Sequence, residues 1–197
     1  MNNLFTPQLT QQVIIGTNSK SRRNLFKKLN LKFNYRSANI DEKQVTNLKN
    51  NQNDALKIAI AKAKHLSSKY KNKMVVTFDT TILFNRKTVY KCNNPECCIR
   101  LLNSFNNKQH VLFTGMVFMI NNKIIQKKLT KTKIFFNNNS KKKIGHYVKK
   151  NFKQIKSAVG CYNIEGMGID LFQNIDKSYF NVLGLDIINF LKLLRKV

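Results

Sequence analysis

Acidic residues are the scarcest chemistry in this chain. Nine Asp and Glu stand against 36 Lys and Arg in 197 residues, for a net charge of +27. Such an excess suggests a nucleic-acid partner, but its pattern does not support one. Only six of the 36 are Arg, the lysines are scattered, and Asn is inflated beside them, as in Asn50-Asn51 and Asn137-Asn138-Asn139. Lys, Asn, Ile and Phe share A/T-rich codons, so compositional drift accounts for the charge better than a binding role does. Each acid that persists under such drift therefore needs a reason. Proline is also rare, with Pro7 and Pro95 alone, and no Pro/Gly/Ser linker interrupts the chain. One domain over residues 1–197 is expected. No apolar run approaches the ~18 residues of a membrane span. The start lacks the charged-then-apolar pattern of an export signal. A cytoplasmic chain without a membrane partner is expected. The four cysteines, Cys92, Cys97, Cys98 and Cys161, form no C-x-x-C pair and have no His at zinc spacing. They read as reduced thiols, not a zinc site.

The residues that are present alternate between strand and helix patterns. Residues 12–17 read as a buried strand and 21–30 as a helix, followed by a short strand at 33–37 and a polar loop with Asp41-Glu42. Over 52–69, Ala55, Ile58, Ala59, Lys62, Ala63 and Leu66 recur at helical spacing. Met74–Phe78 reads as a strand ending at Asp79, with a hairpin over 80–91 turning at Asn85-Arg86. A helix over 94–104 leads into two long strands, 109–120 and 124–136, that flank an Asn121-Asn122 turn. Helices close the pattern at 140–151 and 187–194, with a glycine-punctuated stretch between them. The order is α/β, and the long hairpin argues against an all-parallel sheet.

The stretch Val13-Ile14-Ile15-Gly16-Thr17-Asn18-Ser19-Lys20-Ser21-Arg22-Arg23 carries the clearest chemical signal. A strand breaks into small hydroxyl residues, and a helix then opens with two arginines. Helix N-termini favour Asp or Glu, so two cations there suggest that an anion is expected. Backbone N–H groups, hydroxyls and guanidinium forks together suit phosphate. Asp79 follows an apolar strand, where α/β folds open onto ligand crevices, although a lone Asp there is as often a turn residue. Taken singly, Glu42 reads as surface, Lys62 as a snorkelling lysine, and Lys91 and Glu165 as weak signals. Together, two carboxylates, two Arg, two Lys and a hydroxyl loop suit a metal–polyphosphate site.

The order of these motifs resembles the Maf family of nucleoside triphosphate pyrophosphatases, over about Val13 to Leu194. The resemblance rests on Thr17-Asn18-Ser19-Lys20-Ser21-Arg22-Arg23, Asp41-Glu42, Lys62-Ala63, Asp79-Thr80, Lys91, and His110-Val111-Leu112-Phe113-Thr114-Gly115. Its most specific part is Gly160-Cys161-Tyr162-Asn163-Ile164-Glu165-Gly166, then Gly168-Ile169-Asp170-Leu171-Phe172 and Asn181-Val182-Leu183-Gly184-Leu185. The chain departs from the family at Thr77-Phe78, where small residues are usual, and at Cys92, where proline is usual. Ser157-Ala158 replaces the Asp-Lys pair of the pyrimidine subgroup, and Glu165 replaces its Gln. The sequence is thus more similar to the 7-methyl-GTP subgroup.

The resemblance implies an elongated mixed β-sheet with flanking helices and two lobes around a central cleft, similar to inosine triphosphatases. It implies hydrolysis of non-standard or modified nucleoside triphosphates to monophosphate and pyrophosphate. Asp79 would be the general base, and Glu42 and Asp79 would hold Mg²⁺ or Mn²⁺. Thr17, Ser19, Arg22, Arg23, Lys62 and Lys91 would bind phosphate, and Glu165 would read the base. No stable nucleic-acid partner is implied, and a homodimer is the family expectation. Two rival readings are a degenerate relative kept as an interaction protein and a basic nucleic-acid binder. The second does not need Asp79, and the first draws on the replaced residues around Asp79 and Lys91.

Overall fold

The computed structural model describes residues 7–46 and 51–196. Among these residues, seven strands form one mixed sheet in the order β2-β1-β3-β5-β6-β7, with β4 paired to β3 off this path. The strands are β1 (Val13–Gly16), β2 (Asn34–Arg36), β3 (Met74–Phe84), β4 (Lys87–Val89), β5 (Gln109–Ile120), β6 (Lys123–Phe136) and β7 (Phe172–Ile175). Among the described residues, only β1 runs parallel to its neighbours, β2 and β3, and every other pairing is antiparallel. The helices are α1 (Pro7–Gln12), α2 (Lys20–Lys28), α3 (Glu42–Thr46), α4 (Asp54–Lys69), α5 (Pro95–Phe105), α6 (Lys141–Ile155), α7 (Tyr179–Val182) and α8 (Ile187–Leu194). A 3-10 turn over Met167–Leu171 precedes β7. The expected mixed α/β architecture is therefore present.

Local signals explain most element ends. Ser19, Asn94, Ser140 and Asp186 each place a side-chain oxygen on a backbone N–H three residues on, capping α2, α5, α6 and α8. Pro95 then opens α5 where no N–H is needed. Asn85-Arg86 and Asn121-Asn122 all adopt positive φ. Two such residues make the hairpin turn whose twist matches the strands.

Two apolar clusters divide the molecule along the sheet. One gathers Phe26, Phe33, Phe78, Phe118 and Phe190 beneath α2 and α8. The other gathers Phe105, Phe136, Tyr162 and Phe172 around α5 and α6. β3 and β5 run through both, while β6 adds Ile134 and Phe136 to the second alone. The first half of β6 lies beyond the reach of β7, and lysines line it. Charged side chains on an open strand edge discourage pairing with other chains.

One glycine decides how α4 lies on the sheet. A Cβ on Gly115 of β5 would stand 2.5 Å from the Ala55 carbonyl oxygen and 2.6 Å from Leu56 Cα. Only hydrogen fits there, so the helix backbone rests against the strand. The Thr77 hydroxyl then donates to the Ala59 carbonyl at 2.6 Å, and Ala59 and Ala63 pack on Val117 and Met119.

Three local expectations change. Asp79 does not end its strand: β3 continues to Phe84, because β5 pairs with it from Val75 to Leu83. What ends near Asp79 is β1, whose last pair is Gly16 with Thr77. Glu42 is not in an open loop but begins α3. Cys92 and Cys97 are joined by a disulfide rather than carrying separate thiols, their Cα atoms 5.4 Å apart. Pro95 and the Asn94 cap turn the chain back into α5, bringing together two cysteines whose linear spacing carries no such signal. Cys98 and Cys161 are free and buried, in line with the thiol reading.

Candidate active site

The site forms where β1 stops and β3 goes on. β3 leaves its parallel partner after Thr77, so its next residues have no β1 residue paired beside them. Asp79 and Thr80 follow immediately. α4 lies over this point because of Gly115, which pairs with Asp79 across the ladder. That packing brings Lys62, on the same helical face as Ala59 and Ala63, onto the strand. Its Nζ donates to Asp79 Oδ1 at 2.6 Å. The same nitrogen meets Glu42 Oε1 of α3 at 2.6 Å. Glu42, Asp79, Thr80 and Lys91 line one cleft of about 540 Å³. Asp54 of α4 and Val159, beyond α6, also line it, so both halves of the molecule form its walls.

The electrostatics are those of a partly dry carboxylate. Asp79 is 8% exposed. Burial pushes its pKa above the usual value, Lys62 opposes the rise by charge, Glu42 adds to it by repulsion, and Arg22 opposes it. The bonds to Lys62 engage one oxygen of Asp79 and one of Glu42. The second oxygen of each is left for a hard divalent cation, which takes carboxylate and phosphate oxygens together. The donor set thus fits a hard divalent cation.

The two arginines differ. Arg22 donates through Nε to the Gly184 carbonyl at 2.6 Å, and through its terminal nitrogens to Thr80 Oγ1 at 3.0 Å and Thr17 Oγ1 at 3.4 Å. Its guanidinium lies 5.6 Å from the Phe78 ring centre. Burial lowers its pKa, while Asp79 and Glu42 raise it. Arg22 therefore supplies positive charge beneath Thr80 and anchors α2 to β3 and the Gly184 turn. Arg23 points the other way around the loop. Its Nε and a terminal nitrogen donate to the Thr17 carbonyl at 3.2 and 2.8 Å, and it lies over Tyr35 at 5.0 Å.

Thr17 is buried and accepts from the Ser19 N–H at 3.1 Å. Ser19 caps α2 by accepting from the Arg22 N–H at 3.4 Å. The hydroxyl loop is therefore set by its own hydrogen bonds at the mouth of α2. Lys91, exposed, lies just past β4 in the cleft wall. Glu165 stands apart from that wall. Its carboxylate meets Lys28 of α2 at 3.7 Å, and it raises the pKa of the neighbouring Tyr179, whose rise comes first from burial. Tyr179 and Phe180 are both partly exposed, with rings edge to face at 5.9 Å.

Sequence reasoning gave no role to Thr80, Gly184 or Tyr179. The first two hold Arg22. Gly184 has φ +81, and a Cβ there would stand 2.9 Å from an Arg22 nitrogen. Its isolated position in a closing motif was the available signal.

The family model described as Maf-like protein matches residues 12–197. A nucleoside triphosphate pyrophosphatase of Ruegeria sp. (strain TM1040) is 27% identical over 191 residues, covering 94% of this chain and 96% of its own. A 7-methyl-GTP pyrophosphatase of Colwellia psychrerythraea is 31% identical over 188 residues, covering 93% and 92%. A dTTP/UTP pyrophosphatase of Thermosipho melanesiensis is 31% identical over 175 residues, covering 89% and 92%.

Proposed function

The chain belongs to the Maf family and is a nucleoside triphosphate pyrophosphatase, and we propose that its cleft performs this hydrolysis with Asp79 as general base. The observation that carries the assignment is the Glu42–Lys62–Asp79 cluster, with 2.6 Å contacts on both sides of one ammonium, at the wall of a 540 Å³ cleft.

In this reading a triphosphate enters with its phosphates toward the Thr17–Ser19 loop and Lys91. Asp79 takes a proton from the water that attacks the α-phosphorus. The bond to the bridging oxygen breaks, pyrophosphate leaves, and the nucleoside monophosphate remains. A raised pKa makes Asp79 a stronger base once it is ionised, and the Lys62 ammonium opposes the rise and so favours the ionised form. Lys62, Arg22 and Lys91 stabilise charge that builds on the leaving phosphates. Arg23 holds the Thr17 carbonyl and so fixes the shape of the loop. Thr17 and Ser19 donate their hydroxyl protons. Glu42 and Asp79 would hold a Mg²⁺ or Mn²⁺ ion, which when bound supplies charge neutralisation and lowers the pKa of a water.

Glu165 reads the base, with the Tyr179 ring beside it. A carboxylate and an aromatic face together suit a cationic ring, so a 7-methylguanine nucleotide, or another modified base, fits better than a pyrimidine. A nucleotide pool of this kind places the enzyme in the cytoplasm. The decisive experiment is pyrophosphate release from a panel of standard and modified triphosphates, with Mg²⁺ or Mn²⁺. Turnover that needs a divalent cation and favours a modified purine is expected. No turnover on any triphosphate would favour an interaction protein instead.

A further inference from the structure

All four cysteines of the chain converge, from three separate parts of the sequence. Cys92 follows β4, Cys97 and Cys98 lie in the first turn of α5, and Cys161 lies beyond α6. The sulfurs of Cys92, Cys98 and Cys161 all lie within 4.8 Å of one another, and all three residues are buried. Cys97 joins the group through its bond to Cys92. Cys161 also has φ +55. A non-glycine residue there costs about 1–2 kcal/mol, although Gly160 is its neighbour. The backbone is thus held so that this side chain points at the other sulfurs. Cys92 and Cys97 line an open concavity of about 490 Å³, with Arg100 at its wall. The cluster can be reached from solvent, and a cation stands beside it.

We propose that these four sulfurs form a zinc-class metal site, and that the Cys92–Cys97 disulfide is the oxidised, metal-free form of the same cluster. A small-molecule dithiol gives two electrons to the S–S bond and itself becomes a disulfide. Cys92 and Cys97 each take up a proton as thiols. A divalent cation then displaces the thiol protons and is held by sulfur alone. All-sulfur tetrahedral sets select zinc or iron–sulfur centres. A zinc–sulfur bond of about 2.3 Å separates tetrahedral ligands by roughly 3.8 Å, which matches sulfurs already this close. A cluster of several irons would need them farther apart. The metal ties the Lys91 segment to α5 and to the turn that follows Val159. It therefore braces the wall of the catalytic cleft without touching substrate.

The test uses the full-length chain, reduced with dithiol, desalted without oxygen and titrated with Co²⁺, then Zn²⁺. The unreduced chain and a Cys97→Ser variant, which cannot form the disulfide, run in parallel. The reduced chain should take up one Co²⁺, with a thiolate-to-cobalt charge-transfer band and strong tetrahedral visible absorption that Zn²⁺ abolishes. X-ray absorption of the zinc form should give four sulfurs at about 2.3 Å. The unreduced chain should give no such band. Cys97→Ser and Cys161→Ala, each left with three sulfurs, should both show a weaker band than the reduced chain. The proposal is overturned if neither the reduced chain nor Cys97→Ser shows a thiolate–cobalt band while far-UV dichroism reports an intact fold. It is equally overturned if Cys161→Ala keeps the full band.

Discussion

Replacing Lys62 with methionine separates the electrostatics of the site from its packing. Methionine keeps the aliphatic stem that lies along α4, and only the ammonium is lost. Asp79 then faces Glu42 with its nearest counter-charge gone. The Asp79 and Lys62 side chains are 11% and 15% exposed, so water screens their contact little. Breaking such a pair by removing one partner costs about 3–5 kcal/mol if the remaining group stays charged. Asp79 can avoid part of that cost by binding a proton, so its pKa, already raised by burial, should rise further. A group whose folded pKa lies above its unfolded value favours the folded state most at low pH. That contribution falls as pH rises through the window between the two values. The variant should therefore lose more stability near pH 8 than near pH 5. Its acid limb in kcat/KM should move to higher pH, with about tenfold less ionised base for each unit of displacement. Adding Glu42→Gln removes the repulsion and should move the limb back. The assays are pyrophosphate release from about pH 5 to 9 and urea unfolding at both ends of that range. An acid limb where the wild type has it, with stability lost equally at both pH values, would refute the coupling between Lys62 and Asp79.

Four further outcomes follow from the same geometry. Asp79→Asn should fold normally and lose about 10²–10⁴-fold in turnover; retention of more than about a tenth of wild-type rate contradicts the general-base role. Gly115→Ala should destabilise the chain by roughly 1–3 kcal/mol or more, because its Cβ meets the α4 backbone; a change within about 0.5 kcal/mol in urea unfolding counts against that contact. His110 is buried, bonded through Nε2 to the Tyr162 hydroxyl at 2.9 Å, and its pKa is pulled down to about 3. The unfolded chain binds the extra proton between pH 6.5 and about 3, so stability should fall by about 1.4 kcal/mol per unit of acidification in that window, and His110→Phe should flatten this slope in unfolding measured against pH. Glu165→Gln should reduce the preference for cationic purine triphosphates over pyrimidine ones in competition assays; an unchanged ratio removes Glu165 from base reading.

Much of the secondary structure was legible because short-range chemistry settles it. The α4 helix shows in the spacing of Ala55, Ile58, Ala59, Ala63 and Leu66, and the same spacing put Lys62 on its inner face. The β5–β6 hairpin shows in Asn121-Asn122, since Asn tolerates the positive φ that its turn needs. Asp79 was harder. The apolar run stops at Phe78, but the strand does not, because ladder bonds to β5 continue whatever the side chains are. The α1 helix, β7 and α7 went unread, being short and without periodicity. Glu42, Lys62, Asp79 and Lys91, which the structure brings together, were legible as candidates through motif order, but their geometry was not. No spacing along the chain announces that Arg22 would spend its fork on Gly184, 162 residues away, and on Thr80.

Composition and local pattern were enough for the α/β class, for the hydroxyl-and-arginine loop after β1, and for Asp79 as the foremost acid, whereas Glu42 read as surface until the motif order gave it a role. Those features follow from dihedral preference, side-chain period and charge, which act over a few residues. Which groups meet depended on long-range packing. Gly115 lets α4 touch the sheet and so brings an ammonium within 2.6 Å of two carboxylates. The sharp turn into α5 and the left-handed backbone at Cys161 gather four sulfurs from distant stretches. Contacts between residues far apart in the chain exist only once the core has closed.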